Sequence, residues 1–216
     1  MNGNFRVAIA GGGRVGHRTA ELLDDRGHDV VVIESDPDRA DAISDDYIAT
    51  VIEGDATRPS VLKQVGLDRT HVVAALTKTT GTNLAIAMMA SELADSVQTV
   101  VRTEREPDDE FDQFVDSVIF PERAGARAAA NAIEPDVSAL EDVTGELDIM
   151  EVRVQEDAPV AGRTLSDIAL PRGSLVVSSA AGDRIAGPET VLEPGHTYVV
   201  AAEPDVLDEV MNLMRG

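Results

Sequence analysis

The chain has 216 residues, 43% of them apolar, and carries 18 basic against 40 acidic side chains, for a net charge of −22 and a pI near 4.3. That length is enough to bury a core in one large domain or two small ones. The absence of cysteine excludes disulfides and thiolate metal sites, and the strongly negative field excludes bulk nucleic-acid binding, because it repels phosphates.

The predicted elements alternate from the start. FRVAIA, residues 5–10, reads as a strand, and 14–26 as a helix with Val15, Ala20 (or Thr19), Leu22 and Leu23 on one face, ended by Gly27. DVVVIE, 29–34, is a second strand, apolar enough for burial on both faces. Asp36-Pro37 opens a short helix, 49–54 is a third strand, and 59–65 is a helical turn or two ended by Gly66. Strand four covers 71–77, a helix 83–93, strand five 97–103, a short helix 107–114 and strand six 116–120. Pro121 then opens an alanine-rich helix to Ile133. Six strands in regular β-α rhythm predict an α/β fold with a doubly wound parallel sheet. After Pro135 the rhythm changes. DVSALEDVTGE reads as a linker or short connecting helix. IMEVRV, LVVSSA and HTYVVAA then read as strands separated by turns at AAGDR and EPGH. Helices fall near 166–170 and 204–214, giving a small α+β domain. The boundary is placed at 136/137.

Only 3% of residues are aromatic, so Val, Ala, Leu and Ile must build the core. The acidic surplus, with two lysines and sixteen arginines, suits a folded surface adapted to high salt and a halophilic source. No segment approaches the ~18 consecutive apolar residues of a membrane helix, and MNGNFRVAIA lacks a signal-peptide pattern. A cytoplasmic location without direct membrane insertion is expected.

Gly11-x-Gly13-x-x-Gly16 follows a strand and opens a helix. The first glycine permits the turn, the second lets a pyrophosphate pass, and the third lets helix pack on strand. The helix start offers free N–H groups and partial positive charge. Glu34, at the tip of strand two, is placed to accept ribose hydroxyls and to repel a 2′-phosphate, which favours NAD-like or adenine nucleotides over NADP. Asp55-Ala56-Thr57 lies on the next ligand-facing loop, where Thr57 meets ligand, caps the helix at Pro59, or does both. Thr77-Lys78-Thr79 and Asn83 lie on the loop after strand four and read equally as ligand contacts or as a solvated loop with a cap. Arg14 in the turn and Arg102 at the end of strand five are candidate phosphate partners, with Glu104 as the alternative partner of Arg102. The four histidines are dispersed, without metal-ligand spacing.

GGGRVG, DVVVIE, GDAT, the Thr77 to Asn83 spacing and VIFPE at 118–122 together resemble the TrkA/KtrA-type RCK (KTN) regulatory subunits of potassium transport systems. The tail, with Gly162-Arg163-Thr164-Leu165 and Leu192-Glu193-Pro194-Gly195-His196, is similar to the small C-terminal RCK domain, His196 standing where the family pattern has Asp. The resemblance implies a Rossmann-like RCK-N (TrkA-N) domain over 1–136 and an RCK-C (TrkA-C) domain over 137–216. It implies NAD(H) or ATP/ADP held by Gly11, Gly13, Arg14, Val15, Gly16, Glu34, Ser35, Asp55, Ala56 and Thr57, with Thr77, Asn83 and Arg102 at the same edge. Glu122 matches a position that takes part in divalent-cation binding in some relatives. The 122–133 helix, with Ala124, Gly125, Ala128, Ala129 and Ala132, is similar to the crossover helix that builds a dimer. The implied role is a nucleotide-sensing gate: dimers assembled in a ring on a membrane potassium-translocating subunit, peripheral to the membrane. The alternatives are an NAD-dependent oxidoreductase, and a regulator of a different cation channel or antiporter.

Overall fold

A computed structural model describes residues 5–106, 111–134, 136–142, 147–180 and 184–216. It divides into two compact units, Met1–Ala124 and Gly125–Gly216.

The first unit is built on β1 (Arg6–Ala10), β2 (Asp29–Glu34), β3 (Thr50–Glu53), β4 (Val72–Ala75), β5 (Gln98–Arg102) and β6 (Ser117–Ile119). All pair in parallel, in the order β3-β2-β1-β4-β5-β6. The helices are α1 (Arg14–Asp25), α2 (Pro37–Asp45), α3 (Pro59–Leu62) and α4 (Thr80–Leu93). Side chains alternate across the strands, so two cores form. Ala8, Ala10, Val31, Ile33 and Val73 pack with Leu62, Ile86 and Ala90 of α3 and α4. Val7, Ile9, Val30 and Val32 pack with Ala20 of α1 and Ile43 of α2. This is the Rossmann-like, doubly wound sheet expected from the β-α rhythm.

Local departures have local causes. Leu22, read onto the inward face of α1, is exposed; the inward row is Gly16, Ala20 and Leu23, at helical spacings of four and three. The helix read as 83–93 starts at Thr80, because Glu104 from another segment accepts from the Thr80 backbone N–H at 3.0 Å and caps it. Residues 107–110 of the expected 107–114 helix lie outside the described residues.

α5 (Pro121–Ile133) has no buried residue, and the division between the two units falls inside it. The second unit holds an antiparallel sheet of β7 (Val137–Asp142), β8 (Asp148–Arg153), β9 (Ser174–Ser179) and β10 (Thr197–Ala202), in the order β7-β8-β10-β9. The expected linker or connecting helix is therefore corrected over 137–142, which is an edge strand paired with β8; residues 143–146 lie outside the described residues. Its sequence hid it, because a strand of an antiparallel sheet needs only one covered face and so no continuous apolar run. A closing helix, α6 (Leu207–Arg215), packs Val210 and Met214 into a core with Val152, Leu192, Tyr198 and Val200. The helix expected near 166–170 is a single 3₁₀ turn, Leu165–Asp167, and residues 181–183 of the AAGDR turn lie outside the described residues.

Candidate functional site

Strand order reverses at β1: the chain first builds outward through β2 and β3, then returns to place β4, β5 and β6 on the other side. The chain leaves β1 and β4 there toward opposite halves of the sheet, the place on the carboxyl edge where doubly wound sheets take their ligands. Each glycine of the β1–α1 turn has its own reason. Gly11 has φ +103°, and a Cβ on it would sit 3.0 Å from the Thr77 backbone nitrogen, so the two loops touch. At Gly16 a Cβ would lie 1.9 Å from the Gly11 carbonyl oxygen. At Gly12 it would lie 2.3 Å from Ile43 Cδ1 of α2. Gly13 differs, because a Cβ there meets nothing within 4 Å. Three glycines serve the protein's own packing, and the fourth faces open space.

That open space lies at the start of α1. The first helical bond runs from His17 N–H to the Gly13 carbonyl, so the preceding helical N–H groups have no intrahelical partner. The N-cap is Gly13, without a side-chain cap, and no acid occupies the first turn. α2, by contrast, is capped by Asp36, which accepts from Arg39 N–H at 3.1 Å, and carries Asp38 in its first turn. The positive end of α1 is thus left for an external anion. Arg14 is exposed and in no ion pair among the described residues. Val15 packs its side chain against the core, so only its backbone borders the turn. A phosphate fits this cradle: donors, a positive dipole end and room for its oxygens.

Glu34 is 4% exposed. Its Oε2 accepts from Gly12 N–H at 2.8 Å, and Oε1 accepts from Asp36 N–H at 2.9 Å, Arg39 at 3.2 Å and the Ser35 hydroxyl at 3.3 Å. Burial pushes its carboxyl up, but the Asp36 N–H, Arg39 and Gly12 N–H outweigh it and hold the group below the usual glutamate range. Oε2 keeps one acceptor position, enough for one ribose hydroxyl. Arg39 was not singled out from the sequence. Its spacing five residues after Glu34, on the first turn of α2, was the available signal. Gly12 was missed as well, although three consecutive glycines marked it.

On the loop after β3, Asp55 accepts from both Thr57 N–H, at 2.9 Å, and the Thr57 hydroxyl, at 2.7 Å. These bonds, the hydroxyl first, hold the Asp55 carboxyl below its ordinary value. The capping reading of Thr57 is corrected: Arg58 is the N-cap of α3, and Thr57 closes a turn onto Asp55 instead. Ala56 sends its side chain into the core. Thr57→Ala is therefore expected to leave α3 intact and to cost less than about 1 kcal/mol, the net worth of one exposed hydrogen bond; a denaturant titration measures it.

On the loop after β4, Asn83 is fully buried. Its Oδ1 accepts from Thr77 N–H at 2.9 Å and from the Thr77 hydroxyl at 2.6 Å, while Nδ2 donates to the Thr77 carbonyl at 3.2 Å and the Arg102 carbonyl at 2.8 Å. All four bonds of the amide are spent. The ligand contact expected of Asn83 is corrected to a positioning role, tying the ends of β4 and β5 together. Arg102 pairs with Glu122 at 2.8 Å, not with Glu104, which is committed to Thr80. Glu122 thus pairs with a guanidinium of its own chain, and no three His, Asp or Glu side chains converge on a metal position among the described residues. The carboxyl edge gathers the Gly11–Gly16 turn, Glu34, Ser35, Asp55, Thr57, Thr77 and Arg102 from five successive strand ends.

Residues 7–121 match the TrkA-N domain model, and residues 149–215 the TrkA-C domain model. The chain belongs to the TrkA-N family. Its TrkA-N match runs from β1 to the first residue of α5, so the glycine turn, Glu34 and Arg102 all lie inside it. A Trk system potassium uptake protein TrkA homolog of Pyrococcus horikoshii is 27% identical over 96% of this chain and 96% of its own length. Two solved structures share the fold. The GsuK RCK domain superposes with TM-score 0.65 at 18% identity over 98% of this chain. The GsuK channel bound to NAD does so with TM-score 0.68 at 18% identity, also over 98%. This TrkA-N family chain spans less than half of each, 48% and 40%. No helix among the described residues is long and apolar enough to cross a membrane.

Proposed function

We propose that this chain is a cytosolic nucleotide-sensing regulatory subunit of a membrane potassium uptake system of the Trk/Ktr type, and that it is not an enzyme. The observation that carries the reading is the bare positive end of α1 behind Gly13, beside a carboxylate at the tip of β2. Under this reading a nucleotide lays its phosphates on the α1 N–H groups and Arg14, and its ribose on Glu34. NAD(H), ATP and ADP share that adenylate chemistry. Asp55, Thr57 and Thr77 border the same edge, and Ser35 and Val15 shape it. The domain assignment is 1–136 for nucleotide binding and 137–216 for regulation. The name of the P. horikoshii homolog, and the NAD bound to GsuK, support this reading.

Binding gates a transporter only if the ligands favour different arrangements of an assembly. α5 offers a surface for that assembly. None of its residues is buried, its small residues Ala124, Gly125, Ala128, Ala129 and Ala132 allow close approach, and Ile133 is 79% exposed. The occupant is a second copy, with dimers continuing into a ring beside the membrane partner. Because each copy carries −22, association is expected to strengthen as KCl screens the repulsion. Light scattering across a KCl series measures this, and Ala129→Arg should shift the population to monomer.

Identifying the nucleotide retained by the purified protein, then titrating NAD, ADP and ATP, tests the central claim. Saturable binding without hydride transfer to any added carbonyl substrate is the expected result. Failure of all three to bind removes the proposal, and turnover of NADH would replace it with an oxidoreductase.

A further inference from the structure

His17 stands where the start of α1 meets the end of α2, two helices on the same side of the sheet. Its backbone N–H makes the first bond of α1, to the Gly13 carbonyl, so only about 6 Å of helix rise separates it from the open cradle. Its Nε2 is shielded from solvent and makes no hydrogen bond, yet Oδ2 of Asp46, the C-cap of α2, lies 2.9 Å away. At that distance the contact is attractive only while Nε2 carries a proton, because two lone pairs would otherwise face each other. Other charges around the ring divide. Glu21, one turn along α1 and bound to Arg18, and exposed Asp45 at the end of α2 favour an imidazolium. Arg14, Arg18 and the bare positive end of α1 oppose it. Glu34, behind Gly12, is already matched by Arg39.

Resting on the nucleotide-binding reading above, we infer that a proton on His17 is a co-ligand of the nucleotide: phosphates laid on the start of α1 draw a proton onto the imidazole, and acid in turn tightens nucleotide. Histidine is the side chain whose charge ordinarily changes between pH 5 and 8. In the free chain the helix end and two arginines work against Asp46 and Glu21. Phosphate charge in the cradle cancels the first set and leaves the carboxylates unopposed. Across about 10 Å, at the effective dielectric of a protein surface, one unit charge is worth about a tenfold change in a protonation equilibrium. Linkage is reciprocal, so a proton recruited by the nucleotide strengthens nucleotide binding by the same factor. A fall in pH therefore loads the sensor at a fixed nucleotide concentration. His28 and His71 do not share this field. They precede β2 and β4, at the opposite edge of the sheet, where their Nδ1 atoms accept from the Phe5 and Arg6 N–H groups.

The test is NAD binding to the full chain by calorimetry from about pH 8 to about pH 6, at low enough KCl that charges about 10 Å apart are not fully screened. NAD is the probe because its diphosphate does not titrate in that range. Native affinity should rise several-fold as pH falls, and buffers of different ionisation enthalpy should reveal net uptake of a fraction of a proton on binding. His17→Gln, which keeps a neutral polar side chain, should bind NAD without that slope. Asp46→Asn removes the carboxylate that favours the imidazolium, so it should move the slope to lower pH; it carries the test if His17→Gln does not fold. A native affinity flat across the range, or a slope unchanged in His17→Gln, overturns the proton linkage while leaving nucleotide binding in place. If NAD is not bound, ADP replaces it, with the ionisation of its own terminal phosphate subtracted. A native chain that binds neither overturns both.

Discussion

Gly16→Ala is expected to destabilise the amino-terminal unit by about 3 kcal/mol, at the upper end for overpacking, and to abolish nucleotide binding with it. The new Cβ would stand 1.9 Å from the Gly11 carbonyl oxygen. A backbone atom cannot swing aside as a side chain can, so α1 must shift off β1 or the turn must open. Alanine's better helix propensity returns only about 1 kcal/mol, which does not reverse the sign. The matched control is Gly13→Ala. Its backbone is at φ −68°, and the added methyl meets nothing within 4 Å. Stability should stay within about 0.5 kcal/mol of the native chain. Nucleotide affinity should fall at least about tenfold, because the methyl fills the space a phosphate needs. Denaturant midpoints and calorimetry on the two variants separate folding from binding. A Gly13→Ala chain that binds as tightly as the native one would remove the phosphate from this turn.

Glu34→Gln has the second large effect, and it acts on both properties. The native carboxylate faces donors only: the N–H groups of Gly12 and Asp36, the Arg39 guanidinium and the Ser35 hydroxyl. A glutamine amide keeps one acceptor atom and turns a donor toward the others. At least one buried donor is left unmatched, and Arg39 loses its charge partner, for a cost of about 2 kcal/mol at neutral pH. The pH dependence has a definite sign. Because the folded state holds Glu34 below its ordinary value of 4.5, its contribution is fully present above that value. It is lost as pH falls through the depressed folded value. The stability difference between native and Glu34→Gln chains should therefore be flat at neutral pH and close in acid. Comparing the two chains cancels the other carboxylates. Nucleotide affinity should drop with the substitution, since the ribose loses its ionised acceptor and the Gly12 turn its anchor.

The fold of the first unit was legible because strands and helices there differ in period, and the apolar runs are bounded by Gly and Pro. Glu34 and the Gly11–Gly16 turn could be placed on one edge for the same reason: in a parallel sheet every βα loop leaves from the same side. The edge strand 137–142 was not legible, since one covered face is enough for a strand of an antiparallel sheet and requires no continuous apolar run. Thr57 was equally ambiguous. A threonine two residues before a proline-led helix serves as a cap or as a turn, and only the position of the Asp55 carboxylate chooses between them.

The amino-acid sequence by itself determined the β-α order, the glycine turn, the acidic residue at the tip of β2 and a family pattern over most of its length. These depend on local periodicity and on spacing along the chain. Tertiary structure alone decided which polar groups remain available. Asn83 is used up between Thr77 and Arg102, Arg102 is turned toward Glu122, and Gly12 is closed by Ile43 while Gly13 stays open. Those outcomes depend on hydrogen-bond partners distant along the chain, and a donor or acceptor is spent or free only once its neighbours in space are fixed.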